Sequence, residues 1–232
     1  MRGSNTILED FVSLFFPRYC RGCSGSLVRG EDILCTGCIL ELPKTNYHFR
    51  AENPVFDRLC GRLPIRYGLA FLKFQKGGIV QHLLHQLKYN GLPEIGERLG
   101  QVYGRELSLV GLAKEFDLIV PVPLHRARLR HRGYNQSAQF AKGLSKAMDI
   151  TWDESISVRT QGTATQTRKT KAERWENVKD VFSIDRKEQL FQKRVLLVDD
   201  VITTGATLEA CGQHLIGCGC VSVSIACIAE AQ

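Results

Sequence analysis

The sequence predicts an α/β fold, a mostly parallel sheet flanked by helices, with a small cysteine-rich module at its N-terminal end. Three observations carry this. Short apolar runs at 116–122 and 195–198 alternate with helix-type stretches, the pattern of parallel strands joined by crossover helices. The second run leads directly into two acids, Asp199 and Asp200, and then into a turn of small residues that opens a helix. Four of the nine cysteines fall into two C-x2-C pairs separated by eleven residues.

The 232 residues allow one large domain with a small appendage, and 44% hydrophobic with 24% charged residues is an ordinary globular composition. A formal charge of +7 and a pI near 9.0 give an anion-seeking surface. Nucleotides, pyrophosphate and nucleic acid all suit it, and charge does not choose among them. The most apolar N-terminal run, 11–16, falls far short of the roughly 20 residues of a spanning helix. Glu9 and Asp10 just before it are wrong for a secretory leader. The expectation is no transmembrane segment and a cytoplasmic protein, whose thiols stay reduced.

Taken in order, residues 4–16 read as a short amphipathic helix leading into the cysteine module, the two together spanning 1–45. Cys20, Cys23, Cys35 and Cys38 form two knuckles that aim four thiolates at one ion, with Gly22 and Gly37 inside the turns. Four thiolates close a tetrahedral sphere, so the ion expected is a structural zinc. Residues 46–60 are polar and mixed and read as a linker, and 61–232 as the main domain. Residues 63–74 alternate enough for one or two strands, with Gly68 marking a turn or bulge. A helix over about 78–89 ends at Leu87-Lys88-Tyr89-Asn90-Gly91, and a second spans about 93–109. His82 and His85 share a face of the first, but no acid or thiol accompanies them, so a surface or capping role is expected.

After the strand at 116–122, Arg126, Arg128, Arg130, His131 and Arg132 crowd into seven residues. Ligands of open α/β sheets bind at the carboxyl ends of strands, so this crowd suits several phosphates. Arg132-Gly133-Tyr134-Asn135-Gln136-Ser137 then starts a helix. Residues 159–182 begin polar and threonine-rich, as a closing lid would, and continue as a helix with Trp175 and Val178 on one side. The strand at 195–198 precedes Asp199 and Asp200, whose carboxylates suit vicinal hydroxyls. Thr203, Thr204, Gly205, Ala206 and Thr207 then supply hydroxyls and backbone N–H groups at a helix N-terminus, which suits a phosphate. Together they describe a pocket for a ribose 5-phosphate. No G-x-x-x-x-G-K-[ST] pattern is present. Cys60 stands alone, and Cys211, Cys218, Cys220 and Cys227 read as packing residues of the last helix and strand.

The stretch VLLVDDVITTGAT closely resembles the phosphoribosyl pyrophosphate (PRPP) motif of type I phosphoribosyltransferases. With the C-x2-C pairs, Arg-Gly-Tyr-Asn-Gln, Leu87-Lys88-Tyr89 and Gln166…Arg174-x-x-Asn177-Val178…Phe182, the whole chain resembles the ComF family. That resemblance implies a type I phosphoribosyltransferase fold and a PRPP-like ligand bound with Mg²⁺. It implies that Asp199 and Asp200 hold the ribose hydroxyls at the reacting centre while 203–207 wrap the 5-phosphate. The pyrophosphate loop then falls on residues 123–126, with Pro123 and Arg126, and Arg168 and Lys169 serve as lid cations. A role in bacterial DNA uptake follows from the family, with single-stranded DNA and a competence helicase or other uptake proteins as partners.

Two activities stay open: phosphoribosyl transfer to an unidentified acceptor, and a non-catalytic module that binds PRPP or a nucleotide and delivers single-stranded DNA. The sequence opens Met1-Arg2-Gly3 where the glutamine-dependent enzymes have a catalytic cysteine, so glutamine-driven amination is not expected. Only about one strand follows the PRPP helix, so any acceptor pocket is expected from residues before Pro121.

Overall fold

The computed structural model describes residues 16–159 and 182–231. The expected helix over 4–16 and the lid cations Arg168 and Lys169 lie outside the described residues, apart from Phe16. The chain divides into two compact units, Met1–Leu42 and Pro43–Gln232.

In the first unit, antiparallel bridges Tyr19↔Ser26 and Asp32↔Leu34 shape the knuckles, and helix α1 (Thr36–Glu41) starts inside the second cysteine pair, with Cys35 as its cap and Cys38 within it. Glu31 ties the loop at Val28 to the start of α1 by accepting from the backbone N–H of Val28 at 3.1 Å and of Thr36 at 2.7 Å.

The second unit opens with a 3-10 turn at Tyr47–Phe49 and helix α2 (Pro54–Leu59). Residues 46–60 are therefore folded where a linker was expected. Asn53 caps α2 by accepting from Val55 and Phe56, and Pro54 occupies the first turn, where its missing N–H costs nothing. There follow β1 (Ile65–Phe74), α3 (Ile79–Tyr89), α4 (Glu94–Leu109), β2 (Leu118–Pro121), α5 (Arg126–Arg132) and α6 (Gln136–Met148). The antiparallel pair β3 (Ser157–Arg159) and β4 (Phe182–Ile184) comes next, then β5 (Arg194–Ile202), α7 (Ala206–Gly217) and β6 (Ser222–Ala231).

Four strands form one sheet in the order β1-β6-β5-β2, every neighbouring pair parallel, as the alternating pattern predicts. Strands β5 and β6 are near-continuous apolar runs because helices cover both faces. One face packs Val195, Leu197, Val223 and Ile225 against α2, α7 and the β3–β4 pair. The other stacks Phe71 on Tyr103 at 4.8 Å, and Tyr103 in turn on Phe140 at 6.5 Å. That layer closes because α4 and α6 cross backbone to backbone: a Cβ on Gly100 would lie 2.3 Å from the Phe140 carbonyl oxygen. The irregular register of β1 between Ile65 and Gly68 is the bulge that Gly68 foreshadowed, and α2 presses against Gly68 there. Cys211 and Cys227 are fully buried and Cys218 and Cys220 pack on the core, as expected of packing thiols. No described helix is long and apolar enough to cross a membrane.

Candidate functional site

Strand β5 delivers Asp199 and Asp200 at its carboxyl end. Asp199 Oδ1 accepts from Ser137 Oγ at 2.9 Å and from the Asp200 backbone N–H at 2.8 Å. Asp200 Oδ1 accepts from the Val201 N–H at 2.6 Å, and its Oδ2 pairs with Lys88 Nζ at 2.8 Å. Burial, and then the adjacent Asp200 carboxylate, push Asp199 up to about 7; the hydrogen bonds and Lys88 offset only part of this. Ser137 is fixed by Asn135, the α6 cap, which accepts from the Ser137 N–H at 3.1 Å and donates to the Val122 carbonyl at 2.9 Å. The RGYNQS segment thus ties the end of β2 to the acids on β5.

The turn 203–207 follows at the N-terminus of α7. Gly205 is left-handed, with φ +78°, and a Cβ there would meet Leu59 Cδ2 at 2.8 Å. Arg58 Nη1 donates to the Thr203 carbonyl at 2.7 Å, and Arg62 Nη1 to the Thr204 carbonyl at 2.9 Å. The first N–H groups of α7 have no intrahelical acceptor. Two carbonyls of the turn are held by arginines and the Ala206 N–H donates to Thr204 Oγ1 at 3.4 Å, and its remaining N–H groups are donors of the kind a phosphate requires. Both arginines are anchored by buried acids. Arg58 Nη2 pairs with Glu230 at 2.9 Å, and Arg62 pairs with Glu209. Tyr47 also donates to Glu230, at 2.7 Å; burial, then Glu230, push its hydroxyl up to about 12.

At the acid pair lies a polar cleft of about 190 Å³, lined by Pro123, Asp199, Asp200 and Thr207 with Lys88, Arg128, Arg132 and Arg159; Thr207 is the residue of the turn 203–207 that reaches it. Arg126 opens α5 and is exposed; it does not line this cleft. The cations of α5 that line it are Arg128, two residues further on, and Arg132, six residues further on. Arg132 is held between Gln136, whose Oε1 accepts at 2.8 Å, and the Tyr89 ring, 5.3 Å away. Tyr134 donates to the Leu87 carbonyl at 2.6 Å, so the Leu87-Lys88-Tyr89 and Arg-Gly-Tyr-Asn-Gln segments are direct neighbours. Arg159 rests over the Phe182 ring at 5.4 Å, with its Nε buried and without a hydrogen-bond partner among the described residues. Burial, then Arg128, lower its pKa while Asp199 opposes them. An oxyanion in the cleft would supply the missing acceptor.

Arg58, Arg62, Ser137 and Arg159 were not legible as site residues. Arg58 sits in the segment read as a linker, although Asn53-Pro54 is a helix-start signal, and Arg62 lies just past it. Lys88 was visible only as part of a matching tripeptide.

In the N-terminal unit the sulfurs of Cys20, Cys23, Cys35 and Cys38 lie within 4.8 Å of one another, with Cys23 and Cys35 Sγ 3.8 Å apart. A tetrahedral ion with Zn–S bonds near 2.3 Å needs sulfur separations of about 3.8 Å. The backbone N–H groups of Gly22 and Cys35 point at Cys20 Sγ, at 3.3 and 3.2 Å. Burial alone would raise Cys20; backbone donors bring it down to about 6, towards the thiolate that a metal needs. The cluster fits a zinc module. His82 and His85 are exposed and join no such group among the described residues.

Residues 135–232 match the family model described as Phosphoribosyl transferase domain. "DNA utilization protein YhgH" of Escherichia coli K12 is 31% identical over 213 residues, covering 90% of this chain and 88% of that protein. "Competence protein F" of Haemophilus influenzae is 28% identical over 238 residues, covering 94% of this chain and 99% of its own length. Such coverage extends from the cysteine module through the loop after β5. The parallel sheet, the acid pair at the end of β5 and the full-length relatives agree: the chain belongs to the ComF family of proteins with a phosphoribosyltransferase domain.

Proposed function

We propose that this protein binds PRPP, or another ribose 5-phosphate ligand, across the carboxyl ends of β5 and β2, and that it serves the uptake or use of DNA. The observation that carries the ligand reading is the turn 203–207, whose carbonyls at Thr203 and Thr204 are taken by Arg58 and Arg62. Its carbonyls turned away, Thr203, Thr204, Gly205, Ala206 and Thr207 wrap a 5-phosphate with their N–H groups and hydroxyls, the long Ala206 N–H to Thr204 Oγ1 contact (3.4 Å) giving way to it. Asp199 and Asp200 receive the ribose hydroxyls. Lys88, Arg128, Arg132 and Arg159 answer the charge of the pyrophosphate, with Arg168 and Lys169 as lid cations and Arg126 at the mouth.

Two adjacent carboxylates beside pyrophosphate oxygens are a hard donor set that fits Mg²⁺, which would neutralise leaving-group charge. The residues of the chain do the rest. Asp199 and Asp200 orient the ribose and stabilise the cationic character that develops at its C1. The arginines stabilise the departing pyrophosphate, so catalysis is positioning and electrostatics with no obligatory base. The four cysteines hold one structural Zn²⁺.

The DNA role is supported by the relatives' names, and the cytoplasm is the compartment that PRPP and reduced thiols suit. A second reading, in which the protein binds single-stranded DNA without turnover, is favoured by Arg126 and Arg130. Both are exposed on α5 outside the cleft. Calorimetric titration of PRPP with Mg²⁺ into the wild type and into an Asp199→Asn/Asp200→Asn variant tests the first reading. Saturable binding lost in the variant supports it. Absence of binding by the folded wild type, alongside DNA binding that weakens steeply with salt, would replace it with the second.

A further inference from the structure

Asp200 is engaged on both of its carboxylate oxygens. Oδ1 accepts from the Val201 N–H at 2.6 Å, and Oδ2 pairs with Lys88 Nζ at 2.8 Å. The Lys88 and Asp200 side chains are 23% and 19% exposed, so water screens their attraction only in part. An oxygen already in contact with an ammonium is a poor seat for a divalent cation, because two like charges would then share one small acceptor. As it stands, Lys88 holds the position on Asp200 that a metal or a ribose hydroxyl would take.

Lys88 differs in this from the other cations of the polar cleft. Arg132 is held by neutral groups, the Gln136 amide oxygen and the Tyr89 ring, and Arg159 lies over the Phe182 ring. Of the four cations lining the cleft, Lys88 is the one ion-paired with a described acid. Its backbone is anchored, since Tyr134 donates to the neighbouring Leu87 carbonyl at 2.6 Å. Its side chain is a compact charge on a flexible four-carbon stem, which can change partners where a stacked guanidinium cannot. Lys88 and Asp200 both line the cleft, so an anion among the three arginines offers Lys88 a second partner within it.

We infer that Lys88 is a positioning residue that works as an exchangeable counter-ion: it closes Asp200 to a free divalent cation and releases it when a pyrophosphate group enters the cleft. The inference rests on the PRPP reading, which supplies that group. One ion pair is exchanged for another and no covalent bond changes. The exchange serves both partners, because the cleft gains a fourth unpaired cation as Asp200 becomes open to ribose hydroxyls and metal. Metal and pyrophosphate therefore strengthen each other's binding, and by linkage the effect is the same in either order. The free chain takes up bare metal weakly.

The test uses the full, zinc-loaded chain with Lys88→Met, Lys88→Gln and Lys88→Arg variants. The probe is Mn²⁺, which favours oxygen ligands as Mg²⁺ does and is read by electron paramagnetic resonance. Both neutral variants are expected to bind Mn²⁺ alone at least tenfold more tightly than the wild type and Lys88→Arg, which keeps the charge. Adding Asp200→Asn to Lys88→Met is expected to remove the gain. Inorganic pyrophosphate, titrated calorimetrically in Mg²⁺, is expected to bind Lys88→Met at least tenfold more weakly than the wild type. Two neutral variants keep the test valid if one fails to fold. Mn²⁺ affinity indifferent to Lys88 overturns the inference, as does unchanged pyrophosphate affinity in Lys88→Met. Tight Mn²⁺ binding by the wild type alone, lost in Asp200→Asn, also overturns it. PRPP titrated with Mg²⁺ into the wild type in parallel separates the failures. PRPP bound while metal binding ignores Lys88 overturns only the counter-ion role, whereas no PRPP binding overturns the reading beneath it and the inference with it.

Discussion

Arg58 donates to the Thr203 carbonyl at 2.7 Å while its other guanidinium nitrogen pairs with Glu230 at 2.9 Å. One side chain from α2 thereby joins the turn after β5 to the end of β6. Glu230 is almost fully buried, so Arg58 is its counter-charge as well as a strut for the turn.

Arg58→Ala leaves a buried carboxylate unpaired, and a loss of about 3 kcal/mol of stability is expected from that alone. Urea denaturation checks it. Adding Glu230→Gln is expected to restore much of the stability but little of the PRPP affinity, because the Thr203 carbonyl remains unheld.

Asp199 holds its proton in the folded chain up to about 7, against an ordinary value of 3.8. Between those values the folded state binds the proton and the unfolded state does not, so this group's contribution falls as pH rises and is flat above the window. Asp199→Asn is therefore expected to melt higher than wild type at pH 8, by roughly 5 °C, with the difference gone at pH 4. The same variant loses PRPP binding. Calorimetry across that pH range checks both signs.

Gly205→Ala forces a side chain onto a φ of +78° and against Leu59. A cost of about 1–2 kcal/mol is expected from the backbone conformation, with weaker PRPP binding because the turn must shift. Thermal melting and calorimetric titration read the two effects separately.

Metal analysis is expected to find one zinc per chain, and none in Cys20→Ala. Chelation is expected to raise amide exchange within 16–42, because closed four-thiolate sites supply folding energy to small modules.

The features legible in the sequence are those whose chemistry is contiguous. The run from Val195 through Thr207 contains strand, acids and turn in one stretch, and the C-x2-C pairs carry their geometry in their spacing. The parallel sheet followed from apolar runs buried on both faces. What stayed hidden depends on distant contacts or on helix rotation. Arg58 meets a turn 145 residues away, and its short helix has too few residues to show a period. The crowd from Arg126 to Arg132 shows cationic density in the sequence but not which arginines face inward; Arg128 and Arg132 line the cleft and Arg126 does not. Ser137 and Lys88 gain meaning only once α6 and α3 are docked beside Asp199 and Asp200.

The central claim is that 203–207 and the acid pair hold a ribose 5-phosphate. A crystal structure of the full chain with ribose 5-phosphate and Mg²⁺ tests it most directly. Phosphate density is expected against the backbone nitrogens of 203–207, with ribose hydroxyls on Asp199 and Asp200. Ligand density confined to the exposed face of α5, with the acid pair still closed on Lys88 and Ser137, would contradict it.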